Sequence, residues 1–224
     1  MGREINLLKA LPNSKRNVQA RKDAKDPEVV RISKQYGEMY FDGPRDYGYG
    51  GYRYDGRWRP VASDLVAHFG LRPGMRVLDV GCAKGFLVKD LMTACPGLEA
   101  FGADVSRYAL MHCEPEVAGR LQLASAVELP FPDKSFDAVV SINTIHNLDH
   151  DGCIKALQEF TRICRTPENC FVQVDAYRTA QEKELFESWC LTAITYLTPA
   201  EWIALFDEAG YKGDFYWTIL EAGS

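Results

Sequence analysis

The sequence predicts an α/β fold: a doubly wound, mostly parallel sheet of six or seven strands, helices on both faces, and an N-terminal helical and loop extension. Three observations predict it. Short apolar runs alternate with helical patterns from residue 75 to residue 220. Some runs, such as FDAVVSI at 136–142, are apolar at nearly every position, as strands covered on both faces must be. The link between the first run and the first helix after it, VGCAKG, is a tight glycine turn.

The elements follow in order. Residues 1–27 are polar and basic and end at Asp26-Pro27, a boundary. Residues 27–36 suit a short helix with proline in its first turn. Residues 41–58 are dense in Gly and Tyr without a period, hence loop. Residues 59–69 place Val61, Leu65, Val66 and Phe69 on one helical face, closed by Gly70. Strands are expected at 75–80, 98–103, 121–124, 136–142, 170–174 and 215–220. Helices are expected at 86–95, 107–113, 153–164, 181–192 and 200–209, the last opened by Thr198-Pro199. The division is therefore a basic arm plus Gly/Tyr-rich lid at 1–58 and a ligand-binding domain at 59–224. Right-handed crossovers place the ligand crevice at the carboxyl ends of the strands, beside the first one.

With 224 residues, 46% of them hydrophobic, the chain can bury one core. Its net charge of −5 argues against a globally basic nucleic-acid binder. Residues 1–34 hold nine Lys/Arg against four Asp/Glu, so the other 190 carry −10. Such an arm reads as a solvated extension, or as a contact for a phosphate-bearing or acidic partner. The seven cysteines are odd in number and lack C-x-x-C spacing, which suggests neither a disulfide framework nor zinc. A reducing, cytoplasmic location fits. No run has the length of a signal-peptide core or a membrane span.

At the first strand's end, Gly81 permits a sharp turn, Ala83 permits close approach and Gly85 starts a helix. The G-x-G-x-x-G spacing of a pyrophosphate binder is absent, which disfavours NAD. Asp79 suits a ligand with a cationic amine. Asp104, 25 residues further on at the second strand's tip, can accept from both hydroxyls of a ribose. Its plainer role is to cap the next helix, though Ser106 could do that.

These pieces resemble the class I S-adenosylmethionine-dependent methyltransferases, of Rossmann-like fold. VLDVGCAKG is similar to their first motif, with Ala83 for its usual middle glycine. FGADVS is similar to the second, ELPFPDKSFDAVVS to the approach to the fourth strand, and YLTPAEWIALFDEAGY to a late helix of the small-molecule branch. The resemblance implies that Asp79, Gly81, Cys82, Ala83 and Gly85 hold the methionine and ribose portions of the cofactor. Asp104 would hold the ribose, Val105 the adenine face, Ser125 and Ala126 the adenine edge. Asn143 would lie below the sulfonium, and S-adenosylhomocysteine would be the product. The acid that often accepts from the adenine amine is replaced, as the segment here is Ala124-Ser125-Ala126-Val127.

On the acceptor side, His146 after the fourth strand is the candidate general base, or else a loop-ordering residue. Asp149, His150 and Asp151 raise a metal site, but an acid there more simply caps a helix. The segment 47–58 (YGYGGYRYDGRW) suits a lid and acceptor pocket, with Tyr49 and Tyr52 offering ring faces and Arg53 and Arg57 gripping an anion. The expected activity is methyl transfer to an O or N atom of a small molecule. The alternatives are an RNA or protein methyltransferase using the basic arm, or a non-catalytic cofactor-binding protein. The N/D/S-P-P-Y/F motif of nucleic-acid amino methylation is missing after the fourth strand. Oligomeric state is not indicated.

Overall fold

The computed structural model describes residues 2–12 and 17–220. Its strands are β1 (Arg76–Val80), β2 (Glu99–Asp104), β3 (Leu121–Leu123), β4 (Ala138–Ile142), β5 (Cys170–Ala176) and β6 (Asp214–Ile219). Its helices are α1 (Val18–Ala24), α2 (Pro27–Ser33), α3 (Glu38–Phe41), α4 (Arg59–Phe69), α5 (Phe86–Ala94), α6 (Arg107–Met111), α7 (His150–Ile163), α8 (Ala180–Trp189) and α9 (Pro199–Glu208). The strands form one sheet in the order β3-β2-β1-β4-β5-β6, every pair parallel. This is the doubly wound, Rossmann-like arrangement that the alternation of elements implies.

Side chains leave a strand alternately to its two faces, so each strand feeds two cores. Val77 of β1 and Val140 of β4 pack with Leu65 of α4 and Leu91 of α5. Leu78 and Val80 of β1, with Val139 and Val172, face Phe160 of α7 and Trp202 and Phe206 of α9 on the other side. Capping sets the helix ends. Asp149 accepts from Gly152 N–H, which starts α7 at His150, three residues before the periodicity alone indicates. Reciprocal capping boxes open α8 (Thr179 and Glu182) and α9 (Thr198 and Glu201).

The N-terminal arm is docked, which corrects the expectation of a solvated extension. Ile5 N–H donates to Phe215 O (2.9 Å) and Phe215 N–H to Arg3 O (3.1 Å), so the arm lines the outer edge of β6. Leu7 is buried in the α4–α5 core. Helix α1 packs on α8, where Lys22 pairs with Glu184 at 2.7 Å and Lys25 donates to Cys190 O. The Arg21 guanidinium is buried and donates to Asp46 O and Gly48 O. Arg21, Lys22 and Lys25 of the arm thus find partners within the chain. Lys15 and Arg16, part of the same basic arm, lie outside the described residues.

Candidate active site

The sheet order sets the crevice. From β1 the chain winds outward through β2 and β3, then returns past β1 to β4, which leaves a gap above the β1 terminus. Gly81 begins the turn there with φ +87°. A side chain at Gly81 would lie 1.9 Å from Thr144 Oγ1, so only glycine fits. Ala83 also has positive φ, +49°. Its N–H donates to Asp104 Oδ2 (2.8 Å), while Ser106 N–H donates to Oδ1 (2.7 Å). Ser106 Oγ itself caps α6, the role open to Asp104 on sequence alone. Asp79 is buried and no hydrogen bond is made to its carboxylate among the described residues. Burial, with the Asp104 charge nearby, pushes its pKa up to about 8. Burial also raises the Asp104 pKa, against the backbone N–H groups of Ser106, Ala83 and Val105 that favour its ionised form.

The crevice encloses about 270 Å³. Gly81, Ala83, Asp104, Val105, Ser125, Ala126 and Asn143 line it, seven of the ten residues expected to bind the cofactor. Val105 is 53% exposed, an apolar face at a strand tip. Asn143 adopts φ +54°, its N–H held by Gln173 Oε1 (2.9 Å). Three expected residues are not among the lining groups. Cys82 packs in the α4–α5 core against Gly102. Gly85 is the N-cap of α5, where a side chain would strike Val117 and Leu121. Asp79 lies beneath the turn, beside Asp104.

The roof comes from farther upstream than the 47–58 segment. Tyr36, Tyr40, Phe41 and Tyr49 line the crevice, and Tyr40, Phe41 and Tyr49 pack ring on ring at 5.1 to 5.8 Å. The signal in the sequence was the QYGEMYF cluster, whose Tyr36 and Tyr40 are four apart. Anchors hold this roof down. Lys84 and Tyr108 donate to Asp42 (2.6 and 2.8 Å), Ser106 Oγ donates to Tyr36 O (2.6 Å), and Tyr54 donates to Asp90 (2.5 Å). Of the expected acceptor contacts, only Tyr49 reaches the wall. Tyr52 stacks on Phe86 one layer back, Arg53 is exposed, and Arg57 pairs with Asp55 at 2.6 Å.

His146 is buried behind the crevice and is absent from its lining. Its Nδ1 accepts from Asp175 N–H (3.1 Å), and its carbonyl accepts from Ile194 and Thr195 N–H. Burial lowers its pKa, so the ring is neutral and its one hydrogen sits on Nε2. A base would need a free lone pair, and this tautomer presents a donor instead. Asp175 and Cys190 approach the ring closely enough to suggest a cation site. The same tautomer leaves His146 no lone pair for a metal. Asp149 is spent as the α7 cap.

Residues 77–167 match the family model described as a methyltransferase domain. A demethylmenaquinone methyltransferase of Symbiobacterium thermophilum is 31% identical over 129 residues, 54% of this chain and 50% of that protein. Cycloartenol-C-24-methyltransferase 1 of Oryza sativa subsp. japonica is 30% identical over 135 residues, 57% of this chain and 34% of that protein. Over these residues the chain is similar to the class I S-adenosylmethionine-dependent methyltransferases. It spans half or less of the length of these two methyltransferases. Among solved structures, the [4+2]-cyclase SpnF shares the fold, with a TM-score of 0.55 at 18% identity over 90% of this chain and 74% of that one. No helix among the described residues is long and apolar enough to cross a membrane.

Proposed function

We propose that the protein binds S-adenosylmethionine in this crevice and methylates an oxygen or nitrogen of a small-molecule acceptor. One observation carries the reading: a buried carboxylate with no hydrogen bond from the described residues, Asp79, stands beside Asp104 under an anchored aromatic roof. A buried acid without a partner is costly unless a ligand completes it. The residues fit the cofactor. Asp79 matches its cationic amine, Asp104 its ribose hydroxyls, Val105 and Ala126 the adenine, and the side-chain-free space at Gly81 admits its close approach. Ser125, on the crevice wall, would meet the adenine edge.

When bound, the cofactor supplies an electrophilic methyl group on a sulfonium. The chain's own task is then to hold, orient and shield. Tyr36, Tyr40 and Tyr49 exclude water, and their ring faces favour a cation. Asn143 closes the β4 side. The enclosed volume and anchored roof support a small acceptor over a polymer. The arm's cations, engaged within the chain at Arg21, Lys22 and Lys25, weaken the nucleic-acid reading. A carbon acceptor is the second reading, favoured by the names of the two similar methyltransferases.

Calorimetric titration with S-adenosylhomocysteine should show binding that Asp104→Ala weakens at least about 30-fold, the loss of two charge-assisted hydrogen bonds. A screen with labelled methyl groups would then separate O, N and C products. No binding by the wild-type protein would refute the cofactor assignment.

A further inference from the structure

Gln173 is wholly buried in β5, among Phe171, Val172 and Val174, where an apolar side chain would serve the core. A buried amide is costly unless its ends are bonded. Both ends of this one are. Its Oε1 accepts from Asn143 N–H at 2.9 Å, and its Nε2 donates to Thr218 Oγ1 of β6 at 2.8 Å. Turned over, the amide would set Nε2 against the Asn143 N–H, which fixes its direction. The bond is not needed to satisfy that N–H, because the Gln173 carbonyl already accepts from it at 3.1 Å. The Gln173 side chain is therefore a second grip, on a residue held in the left-handed region at φ +54°.

What the grip presents is the Asn143 side chain. The Asn143 N–H is spent on Gln173, and its carbonyl accepts from Asn147 Nδ2 at 3.2 Å. The residue is exposed on the crevice wall, and its own amide makes no hydrogen bond among the described residues. Strand order says which part of a ligand it meets. Val105, Ser125 and Ala126 line the crevice from the β2 and β3 side, and Asn143 follows β4, across the β1 terminus. With adenine and ribose on the β2 side, which rests on the cofactor reading above, the sulfonium end falls toward Asn143. We propose that Gln173 is a positioning residue for methyl transfer: it holds the Asn143 amide oxygen against the transferable methyl group. The oxygen favours the positive charge carried there and aims the methyl group at the acceptor.

The probe is sinefungin, an analogue of the cofactor with a primary amine where the sulfonium carries its methyl group; S-adenosylhomocysteine is the control. Calorimetry on the wild-type protein should show sinefungin binding at least about tenfold tighter than the control, one charge-assisted hydrogen bond's worth. Asn143→Gly, which suits a positive φ, should abolish that preference and keep the control's affinity within about threefold. Asn143→Asp, which keeps an acceptor oxygen, should retain the preference. Gln173→Leu combined with Thr218→Val removes the grip and leaves no orphaned partner on β6. It should cut the preference at least about threefold while the control's affinity stays within about threefold. Gln173→Met, close in volume, gives the same reading should the double variant fail to fold. A preference that survives in full without the Gln173 amide shows a structural role only and overturns the assignment. So does one that survives in Asn143→Gly or is missing from wild type. Failure of the control to bind wild type instead removes the cofactor reading on which the assignment rests.

Discussion

Asp79 carries a conflict between stability and binding. Its folded pKa of about 8 lies above the value near 3.9 of an unfolded chain. The folded state therefore binds more protons between those values, and stability falls as pH rises from about 4 through 8. Asp79→Asn should stabilise the ligand-free protein at pH 8 by about 1–3 kcal/mol while weakening S-adenosylhomocysteine at least about tenfold. Urea denaturation at pH 5 and pH 8 reads the first effect; unchanged stability at both would show the carboxylate to be well solvated. Ala83 poses a smaller question. A left-handed alanine costs about 1–2 kcal/mol, and glycine returns roughly half of that as chain entropy. Ala83→Gly should thus change stability by no more than about 1 kcal/mol and leave cofactor affinity intact. For His146, burial as a neutral acceptor predicts that His146→Ala destabilises by about 1–3 kcal/mol with cofactor affinity kept. A fall in turnover well beyond the fall in folded protein would return the ring to the acceptor side.

At the scale of elements, the roof and its latch decide access. Burial disfavours the Asp42 charge, but hydrogen bonds from Lys84, Tyr108 and Tyr52 N–H outweigh it and hold the pKa below the usual carboxylate value. The latch is at full strength above about pH 4, the unfolded value, and is lost as pH falls through the folded one. Asp42→Asn leaves the Lys84 ammonium, 9% exposed, without its charged partner. The expected result is faster proteolysis within 43–58 and faster release of S-adenosylhomocysteine, seen by limited digestion and stopped flow. Unchanged digestion would mean that ring packing alone holds the roof. This element was only half legible beforehand. The Gly/Tyr segment pointed to a lid, but Tyr36 and Tyr40 reach the crevice because α3 turns the chain back over α6, a long-range contact with no local period.

For the whole molecule, the docked arm adds a layer to one edge. Residues 2–5 cover β6, whose open edge would otherwise offer unpaired backbone groups. Leu7→Ala should cost about 2–3 kcal/mol in a denaturation experiment, as a core leucine does; a solvated arm predicts no change. The likeness to a [4+2]-cyclase cautions that this fold alone does not name a reaction. The functional reading therefore stands on Asp79 and Asp104 rather than on the sheet.

The alternation of strands and helices, the two-faced core and the glycine turn follow from local rules that the sequence states openly. The helix at 59–69 is found residue for residue as α4, closed by a left-handed Gly70. Asp104 and Asn143 were legible because a doubly wound sheet must bring its strand tips to one crevice. Helix α1 was not, since VQARKDA has no apolar stripe and relies on the Asn17 cap and on α8. Tertiary structure alone decided where the arm's charges go, which tyrosines roof the crevice, and which way His146 faces. Those outcomes depend on partners such as Lys22 and Glu184, or Asp42 and Lys84, that lie far apart in the chain, and no pattern of neighbouring residues encodes such a meeting.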